Sequence, residues 1–413
     1  MNKSILALTV AAVFSAGAMA AKIELTDDVH GKYYNSYGKT DAQITERIKF
    51  LVDVSNPRTE EDRAKDNATI KRYKDAIVIN TLHVTTAGFA GADEASYEQA
   101  LWNSYEHNIT LESATVSNGD AKLVGASPVD NAIRAKAVVD SLDHTMHVDS
   151  VEDIYSAKKN EQLGVVYNIQ GSDFIDPLTM EDQVIEMKNA GILTANFAYN
   201  VDNHLATGGN KSRTEADKGL TNTGKALVKM YNKHNIIVDC SHSSDKTCLD
   251  AAKITTLPMI ASHSNAQGVH DVSRNISDEA IIAIAKTGGT ISPTFLGPFM
   301  NDEGTASSED IAIAINYVAT VISENTDLDG RKHVGFAADF THTLADAFEV
   351  IVRSPERYPP ESGYATPAEQ AFASDIWGAV PVLEQKYGWS EQDIRGVLGE
   401  NVLRVYKQVW SKS

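Results

Sequence analysis

The sequence predicts an α/β protein built as a closed (β/α)8 barrel. Three observations predict it. From about residue 75, short apolar runs rich in β-branched residues alternate with helical patterns, as parallel strands buried on both faces do. There are eight such runs. Polar residues gather at their C-terminal ends, the face on which barrels of this kind carry their active sites.

The runs, in order, are AIVINTL (76–82), ITLESATV (109–116), LGVVYNIQ (163–170), ILTANFA (192–198), NIIVDCSH (235–242), LPMIASH (257–263), TISPTF (290–295) and HVGFAAD (333–339). Helices between them carry start and stop signals. SDEAIIAIAKTGG opens on Ser277 as N-cap and closes on Gly288. MEDQVIEMKNAG has acidic residues in its first turn and stops at Gly191. Strand–helix alternation implies parallel βαβ units. A doubly wound open sheet is the alternative, but no GxGxxG follows the first strand. Residues 21–70 are polar and charge-rich, with helical stretches such as DAQITERIKFLVDV. They read as an extension packed on a barrel spanning 71–413.

The 413 residues are 42% hydrophobic and 23% charged, enough for one large core. A net charge of −19 repels phosphate backbones and anionic lipid, so nucleic acid and membrane surfaces are not expected partners. Residues 1–20, MNKSILALTVAAVFSAGAMA, carry a lysine, an apolar stretch and an Ala-Met-Ala site. They predict a secretory signal peptide and export, most simply to a Gram-negative periplasm. No cysteine follows that site, so no lipid anchor is expected. Cys240 and Cys248 are expected as two buried thiols, with a disulfide as the alternative that export permits.

His242 and His263 each follow an apolar run, on two consecutive predicted strands. Neighbouring strand ends lie about 5 Å apart, so two imidazoles there can share one ion. Asp339, ending the last run, is a third candidate ligand; its structural alternative is an N-cap. His144 and His147 read as a solvated helical face. His342, three residues after Asp339, is a further candidate for the site.

DCSHSSDKT, PMIASHSNAQGVHDVSRNISDEAIIAIAKTGG, VGFAADF and VLGENVLRVY resemble the membrane (renal) dipeptidase family, peptidase family M19. LTANFAYNVDNHLATGG and the segment running from GLTNTGKALVKM to IIVDCSH resemble its middle section, so the likeness covers about residues 75–410. It implies a barrel of the metal-dependent hydrolase type that binds two zinc ions and cleaves dipeptides. It implies that His242 and His263 serve one zinc, that Arg274 holds the substrate carboxylate, and that Asp339 serves the other zinc and proton transfer. Tyr199 falls near the family's substrate-polarising histidine, with Asn200 and Asn203 beside it as substrate contacts. Family members are often dimers, so a homodimer is an expectation.

The chain departs from the family pattern at three positions. The family's first strand ends in His-x-Asp, where this chain has Leu82 and Val84; a one-residue slip would offer His83 and Thr85 instead. The family's bridging glutamate is Gln170, a neutral amide that remains a candidate ligand or substrate contact. Asp339 and one hydroxide balance one divalent ion rather than two. The expectation is therefore an exported hydrolase with a single ion, zinc by its imidazole ligands, on His242 and His263 with Asp339 or Gln170, acting on a dipeptide or similar small amide with a free carboxylate. The alternative is an inactive barrel that binds a small molecule or partner.

Overall fold

The structure is a computed structural model that describes residues 24–55, 59–86, 92–117 and 126–410. The segment expected as a signal peptide lies outside them. All eight predicted runs take extended positions in one ring. The strands are β1 (Ile79–His83), β2 (Leu111–Ser117), β3 (Thr145–His147), β4 (Leu163–Ile169), β5 (Ile192–Ala195), β6 (Ile237–Val238), β7 (Ile260–Ala261) and β8 (Thr290–Ile291). β1, β2, β4, β5 and β6 pair in that order, all parallel, and β7 pairs β8. Single bridges complete the circle: Asp239 to Ile260, Ile291 to Val334, Thr294 to Ala337, and Phe336 back to Asn80. The run 333–339 is thus the eighth barrel segment.

β3 was not expected. It lies beside the first half of β4 and gives the motif His144-x-x-His147 a strand instead of a helical face. The His147 side chain is 6% exposed, bonded to Asp149 at 3.0 Å and stacked on Tyr167, so its ring is not solvated. The alternation of β-branched Thr145 with its neighbours is too short a signal to separate the two periods.

Ile79, Leu111, Val166, Leu193, Ile237 and Ile260 form an apolar plug, closed by the helix Asn401–Trp410. Other strand residues pack outward on the surrounding helices. The helices begin where the sequence signals them: Ser277 caps Asp278–Lys286 by accepting from the Ala280 N–H, and Gly191 and Gly288 take positive φ after their helices. The extension forms the helix Asp41–Val54, which packs Ile44, Ile48 and Leu51 on Phe348 and Val352 of the helix Leu344–Arg353. Fully buried Arg47 ties it down, donating to the carbonyls of Val29, Gly31, Lys32 and Ala365.

The cysteine expectation is corrected. Cys240 and Cys248 form a disulfide with Cα atoms 5.3 Å apart. The turn 241–244 folds the helix Asp245–Ile254 back over the end of β6, so a separation of eight residues becomes a contact.

Candidate active site

The site is built on strand ends where the backbone turns sharply. Asn200, His242 and Asp339 all hold φ between 55° and 64°, the left-handed region that few non-glycine residues adopt. Such strain persists where surrounding contacts over-determine it, and it concentrates at functional positions. The loop beneath them needs a residue without a side chain: a Cβ on Gly208 would sit 2.3 Å from the Asn200 carbonyl oxygen.

His242 and His263 are buried side by side, ring centroids 4.8 Å apart. Their hydrogen bonds assign the same tautomer to both. Ser262 donates its one proton to Asp239 at 2.5 Å, so the Ser262 oxygen accepts from the Nδ1–H of His263 at 2.7 Å. Asn200 Oδ1 accepts from the Nδ1–H of His242 at 2.7 Å and from the Tyr364 hydroxyl at 3.1 Å. Both Nε2 atoms therefore carry a lone pair. That of His263 is buried with no hydrogen-bond partner among the described residues, and that of His242 accepts from Arg274 at 3.2 Å. Burial, with the Arg274 charge second, holds both imidazoles well below their usual pKa, so both are neutral near pH 7.

Arg274 donates also to the His263 carbonyl at 2.8 Å and to Ser264 at 3.3 Å. These bonds use three of its five N–H groups. Its Nε–H is buried without a partner among the described residues. Tyr199 stacks on His242 with centroids 4.0 Å apart, and burial keeps its hydroxyl protonated. Asp339 is not an N-cap, because Thr343 occupies that position of the following helix. Burial raises its carboxyl to about 7, while Arg274 pulls the other way.

Gln170, Tyr199, His242, Arg274 and Asp339 line one cavity of about 1010 Å³ including its open mouth. Two expected substrate contacts are corrected. Asn200 does not line that cavity; it holds His242, and its amide donates to the Arg357 carbonyl. Asn203 folds its own loop, accepting from Leu205 and Ala206 and donating to Phe197. The slip toward His83 is not realised. Val84 lines the cavity, whereas a register shift after Asn80 turns His83 toward Glu112, 3.7 Å away. His342 packs on Phe340, Phe372 and His83 and does not reach the cavity. Sequence reasoning missed Asp239 and Ser262; Asp239 lies three residues before His242 and Ser262 one before His263, and together these buried polar groups orient the His263 ring.

A metal can be tested against these donors. At the imidazole pair, two lone-pair nitrogens fit one ion. Among the described residues, no three His, Cys, Asp or Glu side chains come close enough to complete its protein ligands. Gln170 donates its amide to Thr115 at 2.9 Å. A second ion does not fit, because Val84 and Leu82 offer no donor.

A closed parallel barrel with its polar groups at the strand ends defines the class, a (β/α)8 protein of the metal-dependent hydrolase type. The chain belongs to the membrane dipeptidase family, peptidase family M19, whose model matches residues 122–355. It is 25% identical over 270 residues to an uncharacterized protein in the pqqA 5' region of Klebsiella pneumoniae, covering 64% of this chain and 88% of that protein. It is 27% identical over 221 residues to an uncharacterized dipeptidase of Schizosaccharomyces pombe, covering 52% of this chain and 46% of the yeast protein, about half of that relative's length. The fold matches an amidohydrolase from Pseudomonas aeruginosa with a TM-score of 0.70 at 24% identity, covering 83% of this chain and 99% of that one.

Proposed function

We propose that the protein is an exported hydrolase that cleaves a dipeptide or similar small amide with a free carboxylate, using one divalent ion, zinc by its ligand type. One observation carries the reading: two neutral imidazoles lie side by side, each with a lone-pair Nε2, and His242 lines one cavity with Asp339 and with Arg274, whose Nε–H has no partner among the described residues. His242 and His263 would hold the ion, with water completing its shell. Bound there, the ion would polarise a carbonyl and acidify water.

This chain's own groups supply the rest. Arg274 offers its unpartnered Nε–H to a carboxylate, a charge-assisted donor. Asp339, with its carboxyl near neutrality, can take a proton and return it to the departing amine. The Tyr199 hydroxyl, protonated at working pH, can donate to the carbonyl oxygen. Export is supported by the Cys240–Cys248 disulfide, a bond that persists in oxidising compartments. Among the described residues no helix is long and apolar enough to cross a membrane.

The test is metal content of protein purified without added metal or chelator, beside a His242→Ala, His263→Ala double variant. About one equivalent, lost in the variant, is expected. Two equivalents would sink the single-ion reading. The Arg274 contact on His242 favours a second reading, a metal-free binder, and metal in neither protein would select it. A homodimer is proposed from family membership, and light scattering after size exclusion checks it.

A further inference from the structure

A row of aromatic rings joins Arg274 to His242 along one wall of the cavity. The Phe299 ring lies 5.5 Å from the Arg274 guanidinium carbon. Tyr364 packs edge-on against Phe299 with centroids 5.3 Å apart, Tyr358 against Tyr364 at 5.3 Å, and Tyr199 against Tyr358 at 6.0 Å. Tyr199 in turn stacks on His242 at 4.0 Å. Leu296 and Ile351 pack on this row, and all of these side chains line the cavity. The helix Leu344–Arg353, braced from behind by the N-terminal extension, adds Leu344 and Phe348 to the wall.

Charge along the cavity is limited. Among the described residues its lining holds one guanidinium and one carboxylate, Arg274 and Asp339. The two charged ends of a dipeptide match that pair. A third charge, on a side chain, would leave water without finding a counter-ion. Hydroxyls of the lining are committed as well: Tyr364 donates to Asn200 at 3.1 Å, and Thr366 to the Gly363 carbonyl at 2.7 Å. Arg274 and His242 are in contact at 3.2 Å. A carboxylate held by the first and an amide cleaved beside the second are therefore one residue apart, and the aromatic row runs along that residue.

We infer that the cavity selects a bulky apolar side chain, aliphatic or aromatic, on the substrate residue that bears the free carboxylate. The position of that side chain rests on the hydrolase reading, and its apolar character rests on the wall. Burial against the rings withdraws its apolar area from water, whereas an acidic or basic side chain in its place is desolvated unpaired. In the reaction water adds across the amide C–N bond: the acyl carbon gains the hydroxyl and leaves as a carboxylic acid, and the nitrogen gains the proton and leaves as the amine of the apolar amino acid.

The test is a dipeptide series on the mature protein supplied with zinc: alanyl-alanine, alanyl-leucine, alanyl-phenylalanine, alanyl-glutamate and alanyl-lysine, with leucyl-alanine as the reversed control. Amino acid release gives kcat/KM, and titration calorimetry gives binding. Alanyl-leucine and alanyl-phenylalanine are expected to exceed alanyl-alanine about tenfold or more in kcat/KM, the order for three or more added carbons partly withdrawn from water. The two charged dipeptides are expected to fall below alanyl-alanine, and leucyl-alanine below alanyl-leucine. Turnover without this order, or with leucyl-alanine ahead, overturns the inference and leaves the hydrolase standing. The same order in binding without turnover keeps the ligand class and refutes the hydrolase. Neither turnover nor ordered binding overturns both. A Leu296→Lys variant puts a cation into the partly exposed wall and is expected to raise alanyl-glutamate relative to alanyl-leucine about tenfold. An unchanged ratio in a variant with native circular dichroism counts against the inference.

Discussion

Replacing Glu112 by glutamine tests how the barrel tolerates two ionisable groups behind its first strand. Glu112 is fully buried, accepts from Asn80 at 2.5 Å, and has His83 at 3.7 Å. That separation is too long for a hydrogen bond, so an ion pair would desolvate two charges for a weak return. Burial raises the Glu112 carboxyl to about 8 and lowers the His83 imidazole to about 3. Both groups are then neutral in the folded chain near pH 6. The signs come from linkage. The unfolded chain releases the Glu112 proton near 4.5 and the folded chain near 8, so this group makes stability fall as pH rises between those values. The unfolded chain protonates His83 below 6.5 and the folded chain only near 3, so this group makes stability fall as pH drops through that window. Each slope is about 1.4 kcal/mol per pH unit, and they cancel between about 4.5 and 6.5. Glu112→Gln keeps the acceptor for Asn80 and removes only the acid. Its stability relative to the parent should rise by about 3 kcal/mol between pH 5 and pH 8. Urea unfolding monitored by far-ultraviolet circular dichroism at the two pH values measures this. A variant that is more destabilised at pH 8 than at pH 5 would mean a charged pair and refute the reasoning.

Three further outcomes are expected. Asn200→Ala removes the acceptor that fixes the His242 tautomer, so activity should fall about 10- to 100-fold with the fold retained, and nitrogen NMR of the ring should report a mixture of tautomers. Converting Cys240 and Cys248 to serine should lower stability by about 2–3 kcal/mol, the order for a loop this short, and mass spectrometry of the parent should find no free thiol under native conditions. Arg47→Met leaves four carbonyls of the extension and the 365 segment without their donor, and should destabilise by about 3 kcal/mol or more, with limited proteolysis cutting first near the N-terminus.

The eight barrel segments, the run 333–339 among them, were legible because each is a short apolar run bounded by turn residues, a signal that survives without tertiary context. β3 was not, since three residues cannot declare a period. His242, His263, Arg274 and Asp339 could be singled out because they end strands or fall in a patterned loop. Asn200 and Asn203 were read as substrate contacts because residue type and neighbourhood suggest it; the loop's backbone conformation instead directs one to an imidazole ring and the other to its own backbone. Asp239 and Ser262 looked like ordinary strand residues, and only their meeting across β6 and β7 makes them the group that orients His263.

By itself the sequence determined the barrel, the pair of strand-ending histidines and the loss of donors at Leu82, Val84 and Gln170, since these depend on local pattern and residue chemistry. Tertiary structure decided the features that depend on contacts between distant segments. The register shift in β1 turned His83 away from the site, the turn after β6 joined Cys240 to Cys248, and the tautomers of both histidines were set by neighbours 1 to 42 residues away in the chain. Hydrogen-bond direction and burial are properties of the packed chain, and no run of residues encodes them alone.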